Sequence, residues 1–368
     1  MATIRSFFSS RWGPIITGLL IGIIAPLLVN LGNPGNMGIC VACFSRDIAG
    51  ALGLHRAAAV QYIRPEIIGF VLGALVAALI FREFKPRAGS APVVRFVLGV
   101  FAAIGALIFL GCPWRAYLRL GGGDWNALFG IAGLIIGVSV GIVFLRRGFS
   151  LGRNRPTSTA AGWVMPALMI GLLLLLILAP LFGCDTNGVP SGPIFFSEKG
   201  PGSQHAPILI ALGAGLLIGM LAQRSRFCTI GALRDTILLR DTHLLNGILA
   251  LLAAAFVTNL VLGQFKPGFE NQPIAHTDVV WNIGGMVLAG LAFTLAGGCP
   301  GRQLILSGEG DGDAAIFALG MIVGGAFAHN LNLASSATGI SPYGGAAVIA
   351  GLIVCGALGL TLREPHTA

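Results

Sequence analysis

The chain has 368 residues, of which 55% are hydrophobic and only 10% charged, against roughly 25% charged in an ordinary soluble domain, which excludes a soluble globular protein. Its formal charge is +9, but the basic residues are scattered through short segments between apolar runs and form no aromatic-studded patch, which excludes a nucleic-acid surface. Glycine occupies 55 positions, inside the apolar runs and not in linkers, as close helix packing and broken helices require.

In chain order, ten apolar stretches have the length of about 17 to 25 residues that spans a bilayer. They begin near Gly13, Pro65, Val93, Trp125, Gly162, Ala206, Leu244, Val280, Ala314 and Gly344. Arg5 and Arg11 precede the first stretch, but no small-residue cleavage site follows it, so it reads as a retained helix and not as a signal peptide. The chain is therefore predicted to be an all-α polytopic membrane protein with about ten transmembrane helices.

Lys and Arg accumulate on the cytoplasmic side of membrane proteins. With the N-terminus inside, 16 of the 23 basic residues fall in cytoplasmic segments. The outer segments hold seven: Arg46, Arg56, Arg64, Arg115, Arg119, Lys199 and Lys266. Both termini are expected to be cytoplasmic.

An internal repeat organises the chain. Gly111-Cys112-Pro113-Trp114-Arg115, with Leu118, Gly121, Gly123 and Asp124, matches Gly298-Cys299-Pro300-Gly301-Arg302, with Ile305, Gly308, Gly310 and Asp311, at a constant offset of 187. Cys40, Arg46, Asp47 and His55 recur as Cys228, Arg234, Asp235 and His243 at an offset of 188. Phe84-Lys85-Pro86 recurs as Phe265-Lys266-Pro267. The predicted organisation is a first four-helix repeat over 1–150, a linking helix (Gly162 to Phe182) and outer loop over 151–205, a second repeat over 206–333, and an additional helix over 334–368. The single linking crossing turns the second repeat over, giving an inverted repeat of the kind found in transporters.

Four segments, 32–57, 111–124, 223–243 and 298–313, mix Gly, Cys, Arg and Asp and are too short to cross a bilayer, so they are read as re-entrant, two from each face. In Gly-Cys-Pro the proline fits the first turn of a helix, which puts Cys112 and Cys299 at N-caps, facing the positive end of a half-helix. Cys40 and Cys228 are expected to line the approach further along. Cys40 and Cys43 form a Cys-x-x-Cys, a possible redox pair on the outer face that the second half lacks. Arg115, Arg302, Asp124 and Asp311 are candidates for substrate attraction or for ion pairs that tie down the loops, with Arg46, Asp47, Arg234 and Asp235 in support. His55 and His243 read as surface markers, Cys184 and Cys355 as ordinary buried cysteines. The chain has no tight ligand cluster for a metal, and no cofactor is expected.

The run Asn36-Met37-Gly38-Ile39-Cys40-Val41-Ala42-Cys43-Phe44-Ser45-Arg46-Asp47, the two Gly-Cys-Pro-x-Arg segments and Arg226-Phe227-Cys228 together resemble the YeeE/YedE family of bacterial inner-membrane proteins. That resemblance implies an hourglass fold with cysteine-bearing loops dipping to the centre, and thiosulfate uptake in the YeeE branch. Gln61-Tyr62-Ile63-Arg64-Pro65-Glu66 looks more like the YedE branch, regarded as a selenium transporter. The family's transport cysteines fall on Cys40, Cys112 and Cys299, with Cys228 the repeat mate of Cys40, and its usual association implies a small cytoplasmic sulfurtransferase as partner. The expected function is uptake of a small selenium- or sulfur-containing anion relayed between central cysteines, not enzymatic conversion. The alternatives are thiosulfate uptake, a membrane thiol oxidoreductase using Cys40 and Cys43, and a passive pore of meeting half-helices.

Overall fold

A computed structural model describes residues 7–8, 10–179 and 193–363; Arg5, Phe182, Cys184 and the two ends of the chain lie outside the described residues. The helices in order are α1 (Trp12–Asn30), α2 (Val41–Ala51), α3 (Pro65–Ile80), α4 (Pro92–Phe109), α5 (Pro113–Gly121), α6 (Asn126–Arg146), α7 (Thr159–Leu178), α8 (Ile208–Ser225), α9 (Thr229–Leu239), α10 (His243–Val261), α11 (Val279–Ala296), α12 (Pro300–Gly308), α13 (Gly312–Asn330) and α14 (Gly344–Thr361). Strand pairing among the described residues is confined to Arg87–Ala88 against Arg155–Pro156 and a few isolated bridges.

Among the described residues nine helical segments are long and apolar enough to cross a membrane, and α3 is a shorter tenth of 16 residues. It is short because the stretch before it stays extended: Arg64, fully buried, is bonded to Asp47 and to the carbonyls of Pro201 and Gln204, and Pro65 then starts the helix. Leu, Val and Ile side chains such as Leu79, Ile136, Leu174 and Ile353 remain exposed on the outside of the bundle, as a lipid-facing surface requires. The chain is an all-α polytopic membrane protein.

The packing follows the repeat. Helix α1 lies on α10 as α8 lies on α3, and α6 lies on α11 as α13 lies on α4, while α4 crosses α11 directly. Exchanging α1, α3, α4 and α6 with α8, α10, α11 and α13 leaves this set of pairings unchanged. Glycines permit the contacts: a Cβ on Gly18 would stand 1.9 Å from the Gly247 carbonyl oxygen, and one on Gly105 would stand 2.5 Å from that of Gly285. Backbones approach this closely only where no side chain intervenes.

The repeated Phe-Lys-Pro segments act as straps between the halves. The Lys85 and Arg87 amides donate to the carbonyls of Glu309 and Gly310, just past α12. Their counterparts, the Lys266 and Gly268 amides, donate to Gly122 and Gly123, just past α5. Each half thus closes the far end of the other half's short helix.

Candidate functional site

The site begins with two broken helices. Helix α4 stops at Leu110 and α11 at Gly297, the equivalent position at the offset of 187, and both adopt the left-handed conformation, with φ of 62° and 89°. Three residues later a proline restarts the chain as α5 and α12. The break strands carbonyls that an unbroken helix would satisfy. In the first half they are taken in sequence: His276 bonds the Ile108 carbonyl at 2.8 Å, Arg119 donates to Phe109 at 2.8 Å, and Arg115 donates to Leu110. In the second half Gln303 and Arg95 both donate to the Ala296 carbonyl.

Cys112 and Cys299 are the N-caps of α5 and α12, and Cys40 and Cys228 those of α2 and α9. Three of the four sulfurs visibly cap: Cys40 accepts from the Cys43 amide, Cys228 from Gly231, and Cys299 from Arg302, at 3.2–3.4 Å. Cys40 and Cys228, expected to line the approach further along, are placed next to Cys112 and Cys299. The Cys40 thiol interacts with that of Cys112, and the Cys228 thiol with that of Cys299. The Cys299 amide also donates to the Cys228 sulfur at 3.4 Å. Two helix N-termini therefore converge on each of two thiol pairs. All four cysteines are buried. Each helix start contributes roughly half a positive charge.

Cys43 is fully buried beside Cys40, inside the protein and not on an outer face, and an Arg115 nitrogen lies 3.6 Å from its sulfur. Arg115 also donates to the Asn36 and Ile274 carbonyls, so it pins two loops and the end of α4 over the first thiol pair. Asp124 pairs with Arg119 at 2.6 Å, both fully buried, and not with Arg115. Asp311 pairs with Arg87 of the strap at 2.7 Å. Arg46 and Asp47 form a buried pair at 2.6 Å, to which Arg64 adds from the other side; Arg234 and Asp235 repeat it at 2.8 Å, partly exposed. His55 is buried, not a surface marker: it lies 4.7 Å from the His329 ring and bonds the Arg46 carbonyl. Cys355 is buried on α14.

Charge is distributed unequally about the two pairs. Beyond Cys228 and Cys299 a chain of ion pairs runs to the surface: Arg302 to Glu309 at 3.3 Å, Glu309 to Arg226 at 2.9 Å, and Arg226 to Glu83 at 3.1 Å. Arg226 is 49% exposed and borders a depression of about 340 Å³ that also includes Arg224, Asp235 and His243. Burial raises the pKa of Glu83, but bonds from Gln223 and Arg224 and the Arg226 charge outweigh it and hold the carboxyl below its usual value. At the equivalents of Glu309 and Arg226 the first half has Gly122 and Gly38. Glu309, Glu83, Arg119 and Arg87 were not singled out by the repeat, because the other half carries Gly122, Gln264, Leu306 and Gly268 at their equivalent positions. Among the described residues no group of three or more His, Cys, Asp or Glu is placed to hold a metal.

A family model described as "Sulphur transport" matches residues 1–112 and 224–355. The thiosulfate transporter TsuA of Spirochaeta thermophila is 33% identical over 103 residues, 28% of this chain and 31% of that protein. The thiosulfate transporter TsuA of Escherichia coli K12 is 31% identical over 141 residues, 36% of this chain and 39% of that protein. The matched stretches thus span about a third of each relative's length. With the family match running through both halves of the repeat and taking in Cys40, Cys112, Cys228 and Cys299, the chain belongs to the sulphur-transport, or YeeE/YedE, family.

Proposed function

We propose that this protein takes up a small anion bearing an exposed soft sulfur or selenium atom, handing it from one thiol pair to the other. The observation that carries the reading is the convergence of two helix N-termini on each pair. Helix N-termini attract an anion without fixing a full charge beside it. Thiols are weak, polarizable donors, so each station binds without trapping, which conduction requires. The names of the relatives support thiosulfate as the sulfur substrate; the YedE-like segment around Arg64 supports a selenium compound.

Inverted halves with the boundaries given above suit two stations related by exchange of halves. Both termini then lie in the cytoplasm of a bacterium and the protein in its inner membrane. Four of the seven basic residues counted outside, Arg46, Arg64, Arg115 and Arg119, are buried in the core, which leaves Arg56, Lys199 and Lys266 and sharpens the asymmetry. The Arg226 face is then cytoplasmic, where a small sulfurtransferase would receive the anion. The oxidoreductase alternative has less support, since Cys43 faces Arg115 and has no counterpart in the second half.

The test is uptake of labelled thiosulfate and of selenite by cells lacking their own transporters, comparing the wild type with Cys112→Ala and Cys299→Ala at matched membrane abundance. Cysteine-dependent uptake of one ion is expected and identifies the substrate. Undiminished uptake by both variants would refute the relay.

A further inference from the structure

Trp114 stands two residues after Cys112, at the start of α5, and its equivalent in the second half is Gly301, two residues after Cys299. The two positions meet. A Cβ on Gly301 would lie 2.7 Å from Cζ2 and 2.9 Å from Cε2 of the Trp114 indole, so the six-membered ring fills the space that a side chain at 301 would take. Two equivalent positions that meet across an exchange of halves cannot both hold a large side chain; here one is the largest residue and the other the smallest. The repeat is broken at the point where its two short helices touch.

The ring is fully buried. Phe70 of α3 lies edge-on to it at 5.7 Å, as does Phe227, the residue before Cys228, also at 5.7 Å. The indole thus reaches from the helix that carries one thiol pair to the segments that carry the other. Its Nε1–H has no hydrogen-bond partner. A buried indole N–H ordinarily has one, because leaving a donor unpaired in an apolar setting is costly. The thiols address the soft end of an anion, and none of them is a strong donor to oxygen.

We infer that Trp114 divides the two thiol pairs and donates its indole N–H to the oxyanion end of the substrate as the soft end passes from one pair to the other. This rests on the relay proposed above and adds a substrate requirement: the transported anion carries an oxygen acceptor beside its soft atom. The ring serves as barrier and as donor, two roles that substitution can separate. Trp114→Phe keeps an aromatic ring against Gly301 and removes only the donor.

The test is labelled thiosulfate uptake by the full-length chain in cells lacking their own transporters, with wild type, Cys112→Ala, Trp114→Phe and Gly301→Ala compared at equal membrane abundance. Loss of a hydrogen bond to a charged group is expected to lower the maximal rate of Trp114→Phe by about ten- to a hundredfold. A purely structural indole predicts the opposite, since removing an orphan donor costs nothing, and uptake within about twofold of wild type would overturn the inference. If Trp114→Phe does not reach the membrane, Gly301→Ala decides: it keeps the N–H but displaces the ring, so a loss supports the inference and wild-type uptake overturns it. Failure of the underlying relay looks different, because the wild type would then take up no more than Cys112→Ala, and the inference would fall with it.

Discussion

Replacing Cys299 by serine and by alanine separates a capping cysteine from a transporting one. The Cys299 sulfur accepts the Arg302 amide at 3.4 Å, and its own amide donates to Cys228. Alanine keeps the backbone bond but removes the cap acceptor, a loss of about 1 kcal/mol at a helix start, and leaves one amide of α12 without its partner. Serine is among the preferred capping residues and nearly isosteric, so it restores the cap and the fold with it. It does not restore a soft, weakly donating sulfur opposite Cys228. Thermal stability of the purified protein in detergent is therefore expected to fall for Cys299→Ala and to return to near wild type for Cys299→Ser, while thiosulfate uptake is lost in both. Uptake that recovers together with stability in Cys299→Ser would refute the reasoning, since the sulfur would then be doing nothing that a hydroxyl cannot do.

Asp124→Asn leaves Arg119 fully buried without its carboxylate, and breaking such a pair by removing one partner costs about 3–5 kcal/mol, so sharply reduced membrane abundance is expected on quantitative blotting. Glu309→Gln releases Arg302 beside the second thiol pair and leaves Arg226 paired with Glu83 alone. Uptake kinetics should then show a lower half-saturating concentration and a lower maximal rate, because the freed Arg302 binds the anion more tightly and lets it go more slowly. Glu83, whose carboxyl lies below the ordinary value of 4.5, contributes stability that is full above that value and is lost as the pH falls through its lower folded value. The melting temperature gap between wild type and Glu83→Gln should accordingly stay constant from about pH 8 to 6 and narrow below about pH 4; a gap that widens on acidification would contradict the sign.

Much of this architecture was legible because the chain writes it twice. Gly-Cys-Pro marks a helix end, an N-cap and a helix start within three residues, and α5 and α12 begin and end at equivalent positions as a result. The ten apolar stretches fix their own helices by length alone. What could not be read was partnership. Phe84-Lys85-Pro86 was visible as a repeat, but nothing local says that it closes the short helix of the opposite half. Asp124 and Asp311 are equivalent in sequence, yet one pairs with Arg119 and the other with Arg87, because Arg119 is replaced by Leu306 in the second half. The thiol pairing was hidden for the same reason. Cys40 and Cys112 are 72 positions apart, and only the return of α2 and α5 to one point brings their caps together.

The charges near the thiols bear on how an anion can pass without being held. Arg115, three residues from Cys112, is occupied by the carbonyls of Leu110, Asn36 and Ile274 and by the Cys43 sulfur. Arg302, its equivalent, is drawn to Glu309, and Arg119 to Asp124. Guanidinium groups in this neighbourhood are thus spent on closing broken helices and neutralising carboxylates. A free guanidinium in a low-dielectric interior would bind an oxyanion through strong, charge-assisted bonds and stop conduction. The partial charges of paired helix starts remain, shared between two termini at each station, together with donors no stronger than a thiol or an indole. In the sequence, the arginines near the cysteines read as candidates for substrate attraction or for ion pairs that tie down the loops. In the folded protein those same arginines are engaged by carbonyls and carboxylates, and on the proposed relay this leaves two weak anion sites, between which a substrate can step without being held.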